Sequence, residues 1–284
     1  MKKIIRLIIC TILLGTLLIS EPAAAATATG KTLTEIYRLN ARYQNAEPGG
    51  IALAGSSTLA KWTTAAADIS SFGTFKAETV YNFGISAAKF QSLLDQRYIN
   101  GIASKKPKVV IVYGANSLTV SRRKTSRNRL VVNQATNAAI KFIEKLRYAI
   151  RRYGGSGTKF YYVSTVKTPD HYRTCKSKTV SCNIWDRIDL YNKRMKKYAA
   201  SVSYCDYINI EPYYYSSTAT RNGKKKLRYY LDKGDLQDIA HTASAKALIR
   251  KTSVSPLFAP DLNHPSEQAY QLIWKNIAKQ ASAL

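Results

Sequence analysis

Short apolar runs alternate along this chain with segments whose apolar residues recur at helical spacing. Five runs are nearly continuous in apolar or aromatic residues: Gly50–Ala54, Thr79–Phe83, Lys108–Tyr113, Lys159–Ser164 and Tyr207–Ile210. Runs of this length without polar alternation predict strands buried on both faces of a parallel sheet. Between them, Leu33–Tyr43, Ser86–Arg97, Val131–Tyr153 and Ile184–Val202 predict helices, and Ser266–Ala281 predicts a last one. Gly154-Gly155 stops the longest of these. Strand–helix alternation of this kind predicts an α/β fold: a doubly wound three-layer α/β/α sandwich around a central, mostly parallel five-stranded sheet. In such sheets ligands bind beyond the carboxyl ends of the strands. Ser57, Gly84 and Asn116 each fall one to four residues past a predicted strand end.

Residues 213–256 break the alternation. Tyr213-Tyr214-Tyr215, Tyr229-Tyr230 and Lys224–Lys226 make this stretch polar and aromatic. It reads as a loop-and-helix excursion, with its tyrosines serving either as ordinary packing or as one wall of a cleft. There is no internal repeat and no long low-complexity linker.

The start of the chain changes the picture of location. Lys2, Lys3 and Arg6 precede an apolar run from Leu7 to Ile19, and the small residues Ala23–Ala28 follow. That order is the pattern of a removable export signal, expected to cover residues 1–26. The apolar run is shorter than the roughly 20 residues a permanent span needs. After a helical N-terminal segment over 27–47, residues 48–284 are expected to form one domain, long enough to bury a core without staples. No further transmembrane segment is expected once the signal is removed, and the expected destination is extracellular or cell-wall associated.

Charge and cysteines refine this. The net charge is +27. Such a balance favours polyanions, and outside a cell those are anionic cell-wall polymers or lipid headgroups. The basic residues are spread along the chain with no nucleic-acid-binding motif, so no specific nucleic-acid partner is expected. Cys175 and Cys182 bracket a polar loop, and an exported chain meets oxidising conditions, so a local disulfide is favoured over two free thiols. Cys205 reads as a small core residue. No Cys/His spacing suggests a metal site, and no cofactor is implied.

With three histidines in the chain, any general base has few candidates. Asp261 and His264 stand three residues apart on one expected loop, in Asp261-Leu262-Asn263-His264-Pro265. Far upstream, Gly55-Ser56-Ser57-Thr58-Leu59-Ala60-Lys61-Trp62 places a serine at the end of a predicted strand. A serine hydroxyl needs a base to become nucleophilic, and the base needs an orienting acid. Either segment alone is an ordinary turn or helix start. His171 is the second candidate base, while His241 sits in an expected helix and reads as structural.

Two more blocks lie between these: Asn82-Phe83-Gly84-Ile85-Ser86 and Gly114-Ala115-Asn116-Ser117. Taken in order, the four blocks GSSTLAKW, NFGIS, GANS and DLNHP resemble those of the SGNH hydrolases, the GDSL esterase/lipase superfamily, across about residues 48–284. The resemblance implies the flavodoxin-like SGNH fold and a metal-independent serine esterase. It makes Ser57 the nucleophile and places Ser56 where the family usually has Asp. His264 becomes the base and Asp261 its orienting acid. The backbone N–H groups of Ser57 and Gly84 and the side-chain amide of Asn116 become the oxyanion hole. Gly at position 84 also suits a backbone that must approach a ligand closely. Ser117 departs from the family's usual Asp. The implied activity is hydrolysis of O-acyl esters, with acetyl as the leading acyl group, on extracellular or cell-wall carbohydrate. Two alternatives are a non-catalytic basic wall-binding protein on a decayed SGNH scaffold, and a secreted lipase or lysophospholipase.

Overall fold

The computed structural model describes residues 28–71, 79–114, 116–118, 128–166, 168, 184–211, 215–221, 224–229, 259, 261 and 264–281. Strands β1 (Ile51–Gly55), β2 (Val80–Gly84), β3 (Val109–Tyr113), β4 (Lys159–Val163) and β5 (Cys205–Ile208) form one sheet in the order β2-β1-β3-β4-β5. Every neighbouring pair is parallel. The order reverses between β1 and β3, which makes the carboxyl end of β1 the switch point of a doubly wound sheet.

Alternation along each strand builds two cores. Ala52, Ala54, Val110, Val112, Phe160 and Tyr162 face one side, and Ile51, Leu53, Val109, Ile111, Tyr161 and Val163 face the other. The first side is covered by α1 (Gly30–Arg42), α4 (Phe90–Leu93), α5 (Gln96–Ala103), α6 (Asn128–Arg152) and α7 (Ile184–Ala200). The second is covered by α2 (Ser57–Ala60), α3 (Ala65–Ser70) and α8 (Glu267–Ala281). Because both faces of the sheet are covered, its strands carry no polar stripe, and this is why they read as continuous apolar runs.

The strands match their expected positions to within one residue except β5, which starts and ends two residues earlier than predicted. Its register explains this: Cys205 pairs with Phe160 and Ile208 with Val163, so the strand stops level with the end of β4. Cys205 is buried and free, and burial pushes its thiol up to about 12. Ser86–Arg97 is not one helix. Ala87 adopts a left-handed φ of 63° and Lys89 is extended, so a helix cannot pass through. A second start follows at Asp95, whose side chain accepts from the Arg97 N–H and caps α5.

The described part of the expected 213–256 excursion is also different. It is an antiparallel hairpin of β6 (Tyr215–Arg221) and β7 (Lys224–Tyr229), not loop and helix. Tyr, Thr and Ser suit extended backbone, and that signal was outweighed by the lysine run. His171, Cys175, Cys182 and His241 lie outside the described residues. Among the described residues no helix is long and apolar enough to cross a membrane.

The helical layers differ in charge. Helices α1, α5, α6 and α7 carry 15 Lys and Arg against four acids. Helices α2, α3 and α8 carry two Lys against two acids. The basic excess of these helices is therefore concentrated on one side of the sheet.

Candidate active site

The turn from β1 into α2 presents the two adjacent serines differently. Ser56 is 3% exposed and its N–H donates to the Tyr113 carbonyl (3.1 Å), continuing the β1–β3 ladder. Its own carbonyl accepts the first bonds of α2 from Leu59 and Ala60. Ser56 is thus the N-cap, and Ser57 is the first helical residue. At that position the Ser57 N–H has no partner within the helix, and it lies at the switch point of the sheet.

From the other end of the chain, the loop before α8 delivers His264. Ala259 donates to the His264 carbonyl (2.8 Å), and the His264 N–H donates to Asp261 Oδ1 (2.9 Å). One local turn therefore fixes acid and imidazole together. His264 Nδ1 lies 2.6 Å from Asp261 Oδ2, and His264 Nε2 lies 2.9 Å from Ser57 Oγ. A carboxylate only accepts, so Nδ1 carries the proton and Nε2 is left to accept from the serine hydroxyl. His264 is 9% exposed, while the Asp261 side chain is 40% exposed. Three groups taken from two distant segments thus form one hydrogen-bonded chain.

The other two expected residues fare differently. The Gly84 N–H already donates to Asn82 Oδ1 (2.9 Å), a part-buried bond that it would have to share or leave to meet an oxyanion. The close backbone approach expected of Gly84 is real but involves α2 rather than a ligand. A Cβ there would stand 2.2 Å from the Ala60 nitrogen and 2.6 Å from the Leu59 carbonyl carbon. Asn116 begins a single 3₁₀ turn, Asn116–Leu118, just past β3. Its side chain lies outside what the structure describes. Its neighbour Ser117 is buried, accepts from the Phe90 N–H (2.9 Å) and bonds Gln91 Oε1 (3.2 Å). The departure from Asp at this position leaves a short polar side chain that serves the start of α4.

Two residues that sequence reasoning missed support the site. Asn82 Nδ2 donates to the carbonyls of Leu59 (2.8 Å) and Trp62 (3.3 Å), pinning the end of α2 to β2. An Asn inside a strand, two residues before a Gly, was the available signal. Lys61 Nζ lies 2.8 Å from Asp261 Oδ2 and 3.2 Å from His264 Nδ1. An ammonium only donates and Nδ1 is already donating to Asp261, so the lysine's bond is to the carboxylate. Nothing local to Lys61 in the sequence signals a partner 200 positions away.

On the far side of α2, Trp62 stacks on Tyr270 of α8 at 5.1 Å and 10°, and the Tyr270 hydroxyl donates to the Thr58 carbonyl. Trp62 Nε1 and Thr64 Oγ1 both donate to the buried Asp68 carboxylate, each at 2.7 Å. The serine-bearing helix has only one turn, and these contacts hold it from both sides. Among the described residues no cluster of His, Cys, Asp and Glu is arranged to hold a metal ion.

The sequence model of the GDSL-like lipase/acylhydrolase family matches residues 27–277. The chain belongs to this family. Its members are ester hydrolases, and the five-stranded parallel sheet with helices on both faces is the α/β SGNH fold. Among solved structures, a candidate acylhydrolase from Bacteroides fragilis is 14% identical, with a TM-score of 0.52 over 90% of this chain and 98% of that one. A candidate platelet activating factor from Streptococcus pneumonia is also 14% identical, with a TM-score of 0.50 over 88% and 94%. At such identity these likenesses speak to the GDSL fold alone. No curated protein matches the chain.

Proposed function

We propose that this GDSL-family chain is an exported serine esterase that removes O-acyl groups, acetyl foremost, from extracellular or cell-wall carbohydrate. The observation that carries the reading is the Ser57–His264–Asp261 chain, with spacings of 2.9 and 2.6 Å. In this mechanism His264 Nε2 takes the Ser57 proton as Oγ attacks the ester carbonyl. The imidazolium that forms is held by the Asp261 carboxylate through Nδ1–H. Collapse of the tetrahedral intermediate expels the sugar hydroxyl, which takes the proton from Nε2, and leaves an acyl group on Ser57. Water, deprotonated by the same nitrogen, then releases the carboxylic acid.

The negative charge on the intermediate's oxygen is met by the Ser57 N–H at the first position of α2, where the helix dipole also favours an anion. The Asn116 amide, just beyond β3, is the proposed second donor. Export is supported by the basic, apolar and small-residue order of the first 26 residues. An anionic wall environment is supported by the net charge of +27.

The test is hydrolysis of p-nitrophenyl acetate. Wild type turns the ester over, and Ser57→Ala lowers kcat by roughly 10⁴-fold or more, while Ser56→Ala keeps the same reaction course. Equal rates for wild type and Ser57→Ala would end the proposal. Loss in Ser56→Ala with retention in Ser57→Ala would move the nucleophile.

A further inference from the structure

Beside the serine-bearing helix, a groove of about 450 Å³ runs along the edge strand of the sheet. One wall is α1, with Lys31, Glu35, Arg38 and Arg42. Their spacing of four, three and four residues puts them in one stripe on the helix. The opposite wall includes Ala60 and Trp62, and the alternate β2 residues Val80, Asn82 and Gly84 lie along it. Ala60 is three residues after Ser57 in α2, so the groove begins one helical turn from the nucleophile.

The stripe carries three cations and one acid. Glu35 Oε2 accepts from Arg38 Nε (3.0 Å) and Nη2 (2.7 Å), which leaves a net positive wall. The contact is an exposed i, i+3 pair that orients Arg38 without removing it from solvent. The Arg42 guanidinium lies 5.4 Å from the Tyr43 ring centroid, and Tyr43 also lines the groove. The planar guanidinium held there matches a carboxylate or phosphate. This wall belongs to the basic helical layer, so the field outside the groove has the same sign.

We infer that this groove is an acceptor subsite for acidic saccharide units, uronate or phosphodiester-bearing, of the same polymer whose ester is cleaved at Ser57. The inference rests on the esterase reading above and adds the chemistry of the polymer. A glycan presenting one ester at Ser57 has its neighbouring units alongside, and the cationic stripe selects chains whose neighbours are anionic. Neutral acetylated glycans and small esters gain nothing from it.

The test compares kcat/KM on acetylated polygalacturonate with kcat/KM on p-nitrophenyl acetate. The double variant Arg38→Ala/Arg42→Ala lowers that ratio by about fivefold, as expected for two partly exposed cations. Glu35→Gln raises it, because the stripe loses its only acid. Arg151→Ala/Arg152→Ala, at the far end of α6, leaves the ratio where it was. Equal loss in that distal pair would show bulk charge steering and overturn the subsite, as would an unchanged ratio in the groove double variant. Inhibition of p-nitrophenyl acetate hydrolysis by unacetylated polygalacturonate or by inorganic polyphosphate, weakened by the groove variant, identifies the anion; inhibition by neither overturns the inference. If the wild type lacks esterase activity, the esterase reading fails. Calorimetric binding of the two polyanions then tests the groove alone, and affinity equal in wild type and double variant would sink it.

Discussion

Asp261 receives two cationic or potentially cationic partners on one oxygen, and the two contribute unequally. The imidazole contact is buried on the His264 side and lies on the proposed proton path. The Lys61 contact joins side chains 49% and 40% exposed, where an ion pair is worth roughly 0–1 kcal/mol. The Asp261 carboxylate is also held through Oδ1 by the His264 N–H, so it stays placed without the lysine. Asp261→Asn should therefore lower kcat by roughly 10²–10⁴-fold, while Lys61→Met stays within about threefold of wild type. Steady-state kinetics on a small acetate ester measures both, and a collapse in Lys61→Met would make the lysine part of the catalytic apparatus.

Gly84 shows a position whose residue type was legible and whose reason was not. Its φ is unexceptional, yet a Cβ would collide with main-chain atoms of α2. Backbone cannot swing aside as a side-chain tip can. Gly84→Ala should lower stability by roughly 1–3 kcal/mol and reduce kcat by displacing the helix that carries Ser57. Thermal unfolding and kinetics together check this. A variant that lost activity with an unchanged melting temperature would return Gly84 to the oxyanion hole.

At the scale of elements, short helices here depend on what their ends bond. α5 starts at Asp95, whose carboxylate is almost fully buried. It accepts from the Arg97 side chain at 2.9 and 2.6 Å, from the Arg97 N–H and from the Ala28 N–H. The Arg97 guanidinium, more than the backbone donors, holds this carboxyl down at about 2. The folded value lies below the unfolded one. The stabilisation is therefore fully present above the ordinary carboxylate range and is lost as pH falls through about 4 towards 2. Asp95→Asn should lower stability at neutral pH and flatten the stability profile over that window, as urea titrations at successive pH values would show. An unchanged acid profile would remove Asp95 from the account.

The same element shows why Ser86–Arg97 misled a periodicity reading. Apolar residues recur suitably, but the Ala87 backbone and the Asp95 cap divide the stretch into two helices. The hairpin β6–β7 was missed because a run of lysines outweighs the extended preference of Tyr, Thr and Ser.

For the whole molecule, the asymmetry of charge matters most. Among the described helices, one layer holds the basic excess and the other is balanced. A surface of that kind attracts polyanions over a Debye length of about 8 Å at physiological salt. On an anionic acetylated polymer, kcat/KM should fall as sodium chloride rises from 0.05 to about 0.5 M, whereas p-nitrophenyl acetate hydrolysis should hardly respond. Parallel salt dependences for the two substrates would show that the charge does not act on the substrate.

The sequence by itself determined the layered α/β plan and the blocks that carry Ser57, Asp261 and His264. Strands covered on both faces must be apolar throughout, and an acid three residues from its imidazole can be set by one turn. Both signals are local, so both survive in one dimension. Only the tertiary structure decided which serine meets the imidazole, that Gly84 packs against the backbone of α2, that Lys61 reaches Asp261, and that the cations of α1 line a groove beside α2. Each of these depends on segments that approach across tens to hundreds of residues, and the spacing of residues along a chain holds no record of such distances.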